Sequence, residues 1–167
     1  MNLSDEELIN QIISKKGEEK NYYFTLLYNK YLNFVYDLGR TMGIPRTEID
    51  DFVQEVFTKL YQKISKFKQN KKFFPWFYSL VRNCCYDFLR KIKKHKLDSD
   101  LIIQHYTSNP YENDIETINT VRQIILELPV KEREVIFLKY YQELSIEEIS
   151  QILNCSTRNV YNIINKA

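Results

Sequence analysis

The chain has 167 residues, 44% of them apolar, and a formal net charge of +2, which suits one or two small domains and excludes a wholly disordered protein. Three glycines and four prolines are few turn-forming residues, so helices are favoured over a strand-rich fold. The N-terminus is polar and acidic, and no apolar run approaches the roughly 20 residues that span a bilayer, so we expect a cytoplasmic protein without membrane contact.

A short helix and then a long one are predicted in the N-terminal part. Ser4 and Glu7 have the spacing of a capping box, which opens the short helix. From Asn21, apolar and aromatic side chains recur every three or four residues, as they do on one face of a helix. This face consists of Phe24, Leu27, Tyr28, Tyr31, Leu32, Val35 and Leu38. Gly43-Ile44-Pro45 ends the long helix.

Two further long helices complete a first domain. Thr47 is predicted to cap one of them, and its core positions are Ile49, Phe52, Val53, Val56, Phe57, Leu60 and Ile64. The other runs from about Phe74 to Lys94, with Phe77, Val81 and Phe88 on its core face. Three long amphipathic helices can share one core, so residues 1–96 are predicted to form a domain.

A second small domain is predicted at the C-terminus. Residues 97–117 lose the helical periodicity and become polar and acidic, which is typical of a flexible linker. Periodicity returns at Ile118, and Pro129 stands in the first turn of a further helix, where its missing N–H has no cost. Residues 118–167 therefore form the second domain, and the predicted fold is all-α, with two helical domains joined by a linker.

The C-terminal domain has the pattern of a helix-turn-helix. Ser145 and Glu148 form a second capping box, Asn154 is of the non-glycine residue type best able to adopt a left-handed conformation, and Ser156 is predicted to cap the last helix. The second helix of this motif enters the major groove of DNA. Its outward residues are Thr157, Arg158, Asn159, Tyr161, Asn162, Asn165 and Lys166. Any hairpin of helices on a protein surface also needs polar outward residues, which is the alternative explanation. The pattern alone favours DNA binding, but it does not identify a DNA-binding family.

Charge is sorted along the chain. Residues 1–60 have a net charge of −3, residues 61–97 of +10 and residues 98–119 of −5, whereas residues 120–167 are neutral. The block at 61–97 holds 11 basic residues and one acidic residue. This block is the only strong electrostatic footprint of the sequence, and it is typical of a phosphate-binding surface.

Aromatic residues interleave with the basic residues of this block. Phosphate attraction combined with stacking rings is how proteins hold single-stranded DNA. Phe67 lies among lysines in a predicted loop, so we expect its ring to face solvent or a base. Arg82, Asn83, Tyr86, Arg90 and Lys94 recur at the spacing of one helix face. A solvated face would explain the spacing, but it does not explain the excess of positive charge.

Two separate motifs resemble those of bacterial sigma factors. Residues 50–61 (DDFVQEVFTKLY) are similar to the DLVQE-type signature of the second conserved sigma domain, and residues 74–83 (FPWFYSLVRN) to its WLY-x-IA-x-N segment. Residues 128–149 resemble the fourth conserved domain. Their order and the short linker match the extracytoplasmic-function group, which lacks the third domain. The resemblance covers about residues 20–167 and implies a transcription-initiation subunit rather than an enzyme.

The resemblance also implies binding roles. The helix with Asp51, Gln54, Glu55 and Lys59 would bind the clamp helices of the largest subunit of core RNA polymerase, and the C-terminal domain its flap. Contacts with the minus-ten strand, including a flipped base at Phe67, are implied for Phe67, Lys68, Lys71, Lys72, Arg82, Asn83, Tyr86 and Arg90. Contacts with the minus-thirty-five element are implied for Ser156, Thr157, Arg158, Asn159, Tyr161, Asn162 and Lys166. The acidic linker would thread the RNA exit channel, and an inhibitory anti-sigma factor is a further partner of this family.

Two other classes of protein stay open. An autonomous helix-turn-helix regulator explains residues 118–167 but gives no reason for the motifs at 50–83. An enzyme of nucleic-acid metabolism needs convergent carboxylates or a site centred on histidine, and His95 and His105 are isolated. No metal or cofactor site is predicted. The three cysteines form no CxxC pair, and we expect them to be small buried apolar side chains.

The sequence of the last helix predicts weak binding to the minus-thirty-five element. Tyr161, Asn162 and Ile163 stand where family members often carry basic residues. Fewer phosphate contacts weaken binding, so we expect an additional targeting protein to place this subunit. In a run-off assay with core polymerase and a simple two-element promoter, the chain alone should support little transcription. Robust transcription without a helper would contradict the expectation.

Overall fold

The structure is a computed structural model that describes residues 3–68, 70–98, 121 and 123–166, with only the backbone at residues 95–98. The described residues contain helices and turns and no strand, as the all-α prediction requires. The N-terminal helices are α1 (Asp5–Ser14), α2 (Gly17–Met42), α3 (Ile49–Lys63), a 3-10 turn (Ile64–Lys66) and α4 (Phe73–Asp98). Residues 123–127 are helical, and α5 (Val130–Ile136), a π turn (Phe137–Tyr141), α6 (Ile146–Leu153) and α7 (Thr157–Lys166) follow.

Local capping explains where several helices begin. At α1 the Ser4 hydroxyl accepts from the Glu7 N–H (3.2 Å) and the Glu7 carboxylate accepts from the Ser4 N–H (2.8 Å), which is the predicted capping box. The prediction that Thr47 caps α3 is wrong. Residues 45–48 form a turn in which the Glu48 N–H donates to the Pro45 carbonyl (3.0 Å), so the helix begins only at Ile49.

The core of the N-terminal helices is formed by the predicted apolar stripes. All seven predicted core positions of α3 and the 3-10 turn are buried, and so are Phe77, Val81 and Phe88 of α4. The centre of this core is aromatic. Tyr31 of α2 lies 4.8 Å from Phe77 and 5.6 Å from Phe73, measured between ring centroids. Such edge-to-face contacts add to the burial energy, so the rings join α2 to the start of α4.

The C-terminal helices form the predicted helix-turn-helix. Ser145 and Glu148 make the capping box at α6, and the Ser156 hydroxyl accepts from the Asn159 N–H (3.2 Å) at the start of α7. Asn154 adopts the left-handed conformation (φ 51°, ψ 52°) in the turn between them, as its residue type predicts. The helices close over a small core of Val135, Phe137, Leu138, Ile149 and Val160.

Two compact units divide the chain: Met1–Arg40 with Ile44–Asp87, and Thr41–Gly43 with Phe88–Ala167. This division falls inside α4, whereas the predicted first domain ends at residue 96. The predicted linker of residues 97–117 overlaps the end of α4 at 97–98, and its remainder lies outside the described residues. The boundaries 1–96, 97–117 and 118–167 therefore stay predictions.

At Gly39, α2 packs closely against side chains of α3. A Cβ atom at this position would lie 2.7 Å from Cε1 of Phe52 and 2.8 Å from Cδ1 of Ile49. We expect Gly39→Ala to lower the free energy of unfolding by about 1–2 kcal/mol, because overpacking outweighs the better helix propensity of alanine. Chemical denaturation measures this change. Asn29→Ala, at an exposed position of α2, is the control and should stay within about 0.5 kcal/mol of the parent chain. An unchanged Gly39→Ala stability would show that the two helices can separate at no cost.

Candidate functional site

The outward face of α3 carries the residues predicted to dock on the polymerase. Asp51 and Gln54 are exposed, opposite the buried stripe of the helix. Glu55 and Lys59 are half-buried and bond to each other, with 2.7 Å between Oε1 and Nζ. The hydrogen bond from Lys59 to Glu55 raises the pKa of this lysine. Because Glu55 and Lys59 neutralise each other, Asp51 and Gln54 supply the more available polar groups of this face.

An open groove of about 700 Å³ runs beside this face, between α2 and α3. Half of its ten lining residues are aromatic, and one of these, Tyr36, is hydrogen-bonded to Asp50, which also lines the groove. This hydrogen bond raises the pKa of Tyr36. The lining residues are Phe24, Tyr28, Tyr36, Asp50, Val53, Gln54, Phe57, Thr58, Tyr61 and Gln62. Gln54 belongs both to the groove and to the exposed face of α3, so one partner could contact both.

Phe67 does not face solvent, and the prediction of its exposure is wrong. Its side chain is 8% exposed, and its ring lies 5.1 Å from Trp76 and 5.8 Å from Phe73. The burial of an aromatic ring against two others outweighs the polar sequence around it. Trp76 is half-buried, so it is the ring of this group that remains partly accessible.

The described residues of the loop after Phe67 present polar side chains to solvent. Lys68, Asn70, Lys71 and Lys72 are all exposed, and the Lys71 N–H donates to the Lys68 carbonyl (3.0 Å), which closes a turn. Gln69 lies outside the described residues. Three exposed lysines therefore lie on one short turn that follows the buried ring of Phe67. They concentrate positive charge at this loop.

The outward face of α4 continues this basic surface. Asn83 and Arg90 are exposed, and Arg82 and Tyr86 are half-buried. The Arg82 guanidinium lies 5.4 Å from the centroid of the Tyr86 ring, a cation–π contact between neighbours one helical turn apart. The helix therefore brings all four predicted residues to one side, opposite the buried stripe that contains Phe77, Val81 and Phe88.

The outward face of α7 agrees with the predicted list in exposure. Arg158, Asn162 and Asn165 lie along its centre at four- and three-residue spacing, and Tyr161 is 56% exposed beside them. Ser156, Thr157 and Asn159 are exposed at the N-terminal end. Lys166 is exposed but bonded to the nearly buried Glu132, with 2.8 Å between Nζ and Oε1. Arg158 is thus the one cation of α7 that does not bond to Glu132.

Within the described residues, no three His, Cys, Asp or Glu side chains are grouped as metal ligands. Cys84 and Cys85 are buried as expected, and burial raises the pKa of the Cys84 thiol; Cys155 is half-buried. No described helix has a stretch that is long and apolar enough to span a bilayer. The side chains of the two histidines lie outside the described residues.

Sequence reasoning missed two features of these surfaces. The groove is lined in part by Tyr36 and Asp50, whose pairing across two helices leaves no signal in the spacing of either helix. Asp5 accepts hydrogen bonds from Lys30 and Tyr31, two residues more than 20 positions away. The polar face of α2 and the acidic first turn of α1 were visible in the sequence, but their partners were not.

Comparison with known families assigns both helical regions. Residues 27–95 match the family described as Sigma-70 region 2, and residues 118–167 match Sigma-70, region 4. The first match contains α3, the loop with Lys68, Lys71 and Lys72 (the lysine loop), and the outward face of α4 up to residue 95. The second contains the helix-turn-helix. Both therefore coincide with the surfaces described above.

Curated relatives give the same result over most of the chain. The ECF RNA polymerase sigma factor SigW of Bacillus subtilis is 34% identical over 153 residues, which span 84% of this chain and 81% of SigW. The sigma factor SigM of the same organism is 30% identical over 144 residues, which span 84% of this chain and 88% of SigM.

Solved structures agree in fold. CnrH, solved with the cytosolic domain of CnrY, has a TM-score of 0.72 at 22% identity, covering 98% of this chain and 91% of CnrH. RpoE of Bartonella quintana, solved with the anti-sigma factor NepR, has a TM-score of 0.69 at 19% identity, covering 86% of this chain and 90% of RpoE. The chain belongs to the extracytoplasmic-function group of RNA polymerase sigma factors, the proteins with which RNA polymerase initiates transcription at specific promoters.

Proposed function

We propose that the chain divides the work of initiation among three surfaces. The outward face of α3 and the adjoining groove bind core RNA polymerase. The lysine loop and the outward face of α4 hold the non-template strand of the minus-ten element. Helix α7 contacts the minus-thirty-five element. The observation that carries this proposal is the sorting of charge: 11 of the 12 charged residues at 61–97 are basic, and the described ones lie mainly on the loop and on the outward side of α4.

The polymerase face is built for a helical partner. Asp51 and Gln54 offer an acceptor and an amide on the ridge of α3, and the groove beside them offers aromatic side chains. Interfaces of this kind combine apolar anchors with polar groups that set the register. The clamp helices of the largest polymerase subunit are the partner that we assign to this face. The flap of the polymerase is assigned to the C-terminal domain on the strength of its match to region 4 alone.

The strand-binding surface requires a change in the predicted role of Phe67. Because Phe67 packs against Trp76 and Phe73, we assign it the floor of the loop rather than a contact with the base. The exposed lysines attract the backbone, Asn83 offers an amide to base edges, and the partly accessible ring of Trp76 is the available stacking partner.

The energetics explain why the chain acts as a subunit. Unstacking a base costs a few kcal/mol, and stacking on a protein ring returns about 1–3 kcal/mol per base. These terms nearly cancel, so the free chain should bind duplex DNA weakly and open it only together with the polymerase. In this role the chain itself forms and breaks no covalent bond. Because it works with the polymerase, we place it in the cytoplasm.

The upstream contact is the weaker of the two DNA contacts. On α7, Arg158 and two asparagines can read base edges in the major groove. Lys166 is held by Glu132 at 2.8 Å, which reduces its attraction for phosphates. This pairing supports the expectation of an additional targeting protein, because the helix retains little charge for autonomous binding.

An anti-sigma factor is the inhibitory partner that we propose. RpoE of Bartonella quintana was solved with the anti-sigma factor NepR. The groove between α2 and α3 shares Gln54 with the proposed polymerase face. A protein seated there would exclude the polymerase by direct overlap, and adding such a protein to the holoenzyme should release this chain. Persistence of the holoenzyme at saturating inhibitor would contradict this part of the proposal.

Reversal of one charge on α3 tests polymerase docking. We expect Asp51→Lys to raise the Kd for core polymerase about tenfold or more, because it places an unmatched charge in the centre of the interface. Titration of labelled chain with core polymerase, followed by fluorescence anisotropy, measures this Kd. Glu18→Lys at an exposed position of α2 is the matched control and should leave the Kd unchanged. Equal affinities of Asp51→Lys and the parent chain would remove α3 from the interface, and an autonomous regulator would show no binding at all.

Charge reversal in the loop tests strand binding. We expect the double variant Lys71→Glu and Lys72→Glu to reduce the fraction of open complexes about tenfold or more at moderate salt, since both side chains would then repel phosphates. Permanganate reactivity of minus-ten thymines measures opening, on a promoter identified by mapping start sites after overexpression of the chain. Polymerase affinity should be unchanged. Lys16→Glu with Lys131→Glu, at two exposed positions outside the loop and α4, is the control pair. A normal yield of open complexes from the loop variant would refute the assignment.

A further inference from the structure

Helix α1 lies outside the part of the chain that matches Sigma-70 region 2, which begins at residue 27. It is nevertheless firmly built into the first unit. Its start is fixed by the Ser4 and Glu7 capping box, and Leu8, Ile9 and Ile12 are at most 3% exposed. The burial of three apolar side chains holds α1 in place, so it is a fixed element of the unit.

Two contacts connect α1 to the two ends of the lysine loop. At the first end, α1 packs directly against the 3-10 turn Ile64–Lys66, which precedes Phe67. At the second end, the connection runs through Asp5. Its carboxylate accepts from the Tyr31 hydroxyl (2.5 Å) and from the Lys30 ammonium (2.7 Å). Tyr31 in turn contacts Phe73, the residue at which the loop ends and α4 begins.

The aromatic contacts continue from Phe73 into the loop itself. The Phe73 ring lies 5.9 Å from Trp76 and 5.8 Å from Phe67, and Phe67 lies 5.1 Å from Trp76. A continuous path of contacts therefore joins Asp5, through Tyr31 and Phe73, to the residues beneath the loop. Tyr31 is 8% exposed, and its burial together with the hydrogen bond to Asp5 raises the pKa of its hydroxyl. The hydroxyl accordingly stays protonated at neutral pH and donates to Asp5.

We propose that α1 is a brace for the lysine loop, and that Asp5, acting through the hydroxyl of Tyr31, is a positioning residue for promoter opening. The inference rests on the strand-binding role proposed for the loop. The hydrogen bond from the Tyr31 hydroxyl to Asp5 is placed where it can support the loop. A rotation or shift of the Tyr31 ring would move Phe73, and with it the floor on which Phe67 and the lysines after it are supported. A bond to a charged acceptor holds that ring in one orientation more tightly than apolar packing alone.

The chain contains a built-in probe of this brace. Trp76 is its single tryptophan and contacts both Phe67 and Phe73. Tyr31→Phe removes the hydroxyl and keeps the ring. We expect the fluorescence emission of Trp76 in the free chain to shift to longer wavelength. We also expect its ring to become more accessible to quenching by acrylamide. Tyr36→Phe is the matched control, because it also removes a hydrogen bond from a tyrosine of α2 to an aspartate, but in the groove beside α3. It should leave the emission of Trp76 unchanged.

The functional readout uses the holoenzyme on a mapped promoter. We expect Tyr31→Phe to reduce the equilibrium constant for opening by up to about tenfold, because the lost hydrogen bond to a charged group weakens the support of the loop, with unchanged affinity for core polymerase. Asp5→Asn retains an oxygen that can accept from Tyr31, so it should open the promoter better than Asp5→Ala. Tyr22→Phe, at an exposed position of α2, should behave as the parent chain.

The outcomes separate the brace from the strand-binding proposal. If Tyr31→Phe leaves both Trp76 emission and promoter opening unchanged, or lowers polymerase affinity by the same factor as opening, the brace is overturned. If Asp5→Asn and Asp5→Ala open the promoter equally poorly, the hydrogen bond is not the working contact, and the positioning role of Asp5 is overturned. If the loop variant at Lys71 and Lys72 opens promoters normally, the strand-binding role itself fails, whatever the result for Tyr31.

Discussion

The aromatic packing between α2 and the start of α4 is the interaction on which the N-terminal unit depends. Tyr31, Phe73 and Phe77 meet in this core, and Phe67 and Trp76 extend it beneath the lysine loop. The loop carries three exposed lysines that repel one another, and both this floor of rings and the hydrogen bond between the Lys71 N–H and the Lys68 carbonyl oppose their separation. The same packing sets the direction in which α4 leaves the loop. The outward face of α4 can therefore continue the basic surface of the loop.

A consequence of this arrangement is that one small unit presents two surfaces of different chemistry. Helix α3 presents an acidic and polar ridge beside an aromatic groove, whereas the loop and α4 present cations. Opposite charges placed on different surfaces attract different macromolecules and reject the wrong one by repulsion. A sigma factor needs this separation, because it has to hold a protein and a nucleic acid at the same time. The C-terminal unit is more nearly neutral, which fits a supporting role in promoter recognition.

Features set by neighbours in the sequence were predictable, and features set by distant neighbours were not. The capping boxes at Ser4 and Ser145, the left-handed Asn154 and the buried stripe of α3 follow from residue type and spacing within a few positions. The exposure of Phe67 was predicted from its polar neighbours and was wrong, because rings that follow it by six and nine positions cover it. Thr47 was given the role of a helix cap, but the turn that begins at Pro45 moves the helix start beyond it. The groove and the bonds of Asp5 depend on helix packing, which no local pattern encodes.

We propose different partners for the two faces of the N-terminal unit, and site-specific photocrosslinking can identify the partner of each face. A photoreactive amino acid would replace Gln54 on α3 in one variant and Asn83 on α4 in another, both at exposed positions. In the open complex, the group at 54 should crosslink to the largest polymerase subunit and the group at 83 to the non-template strand of the minus-ten element. Crosslinks of both positions to the same partner, or an exchange of the two partners, would contradict the account.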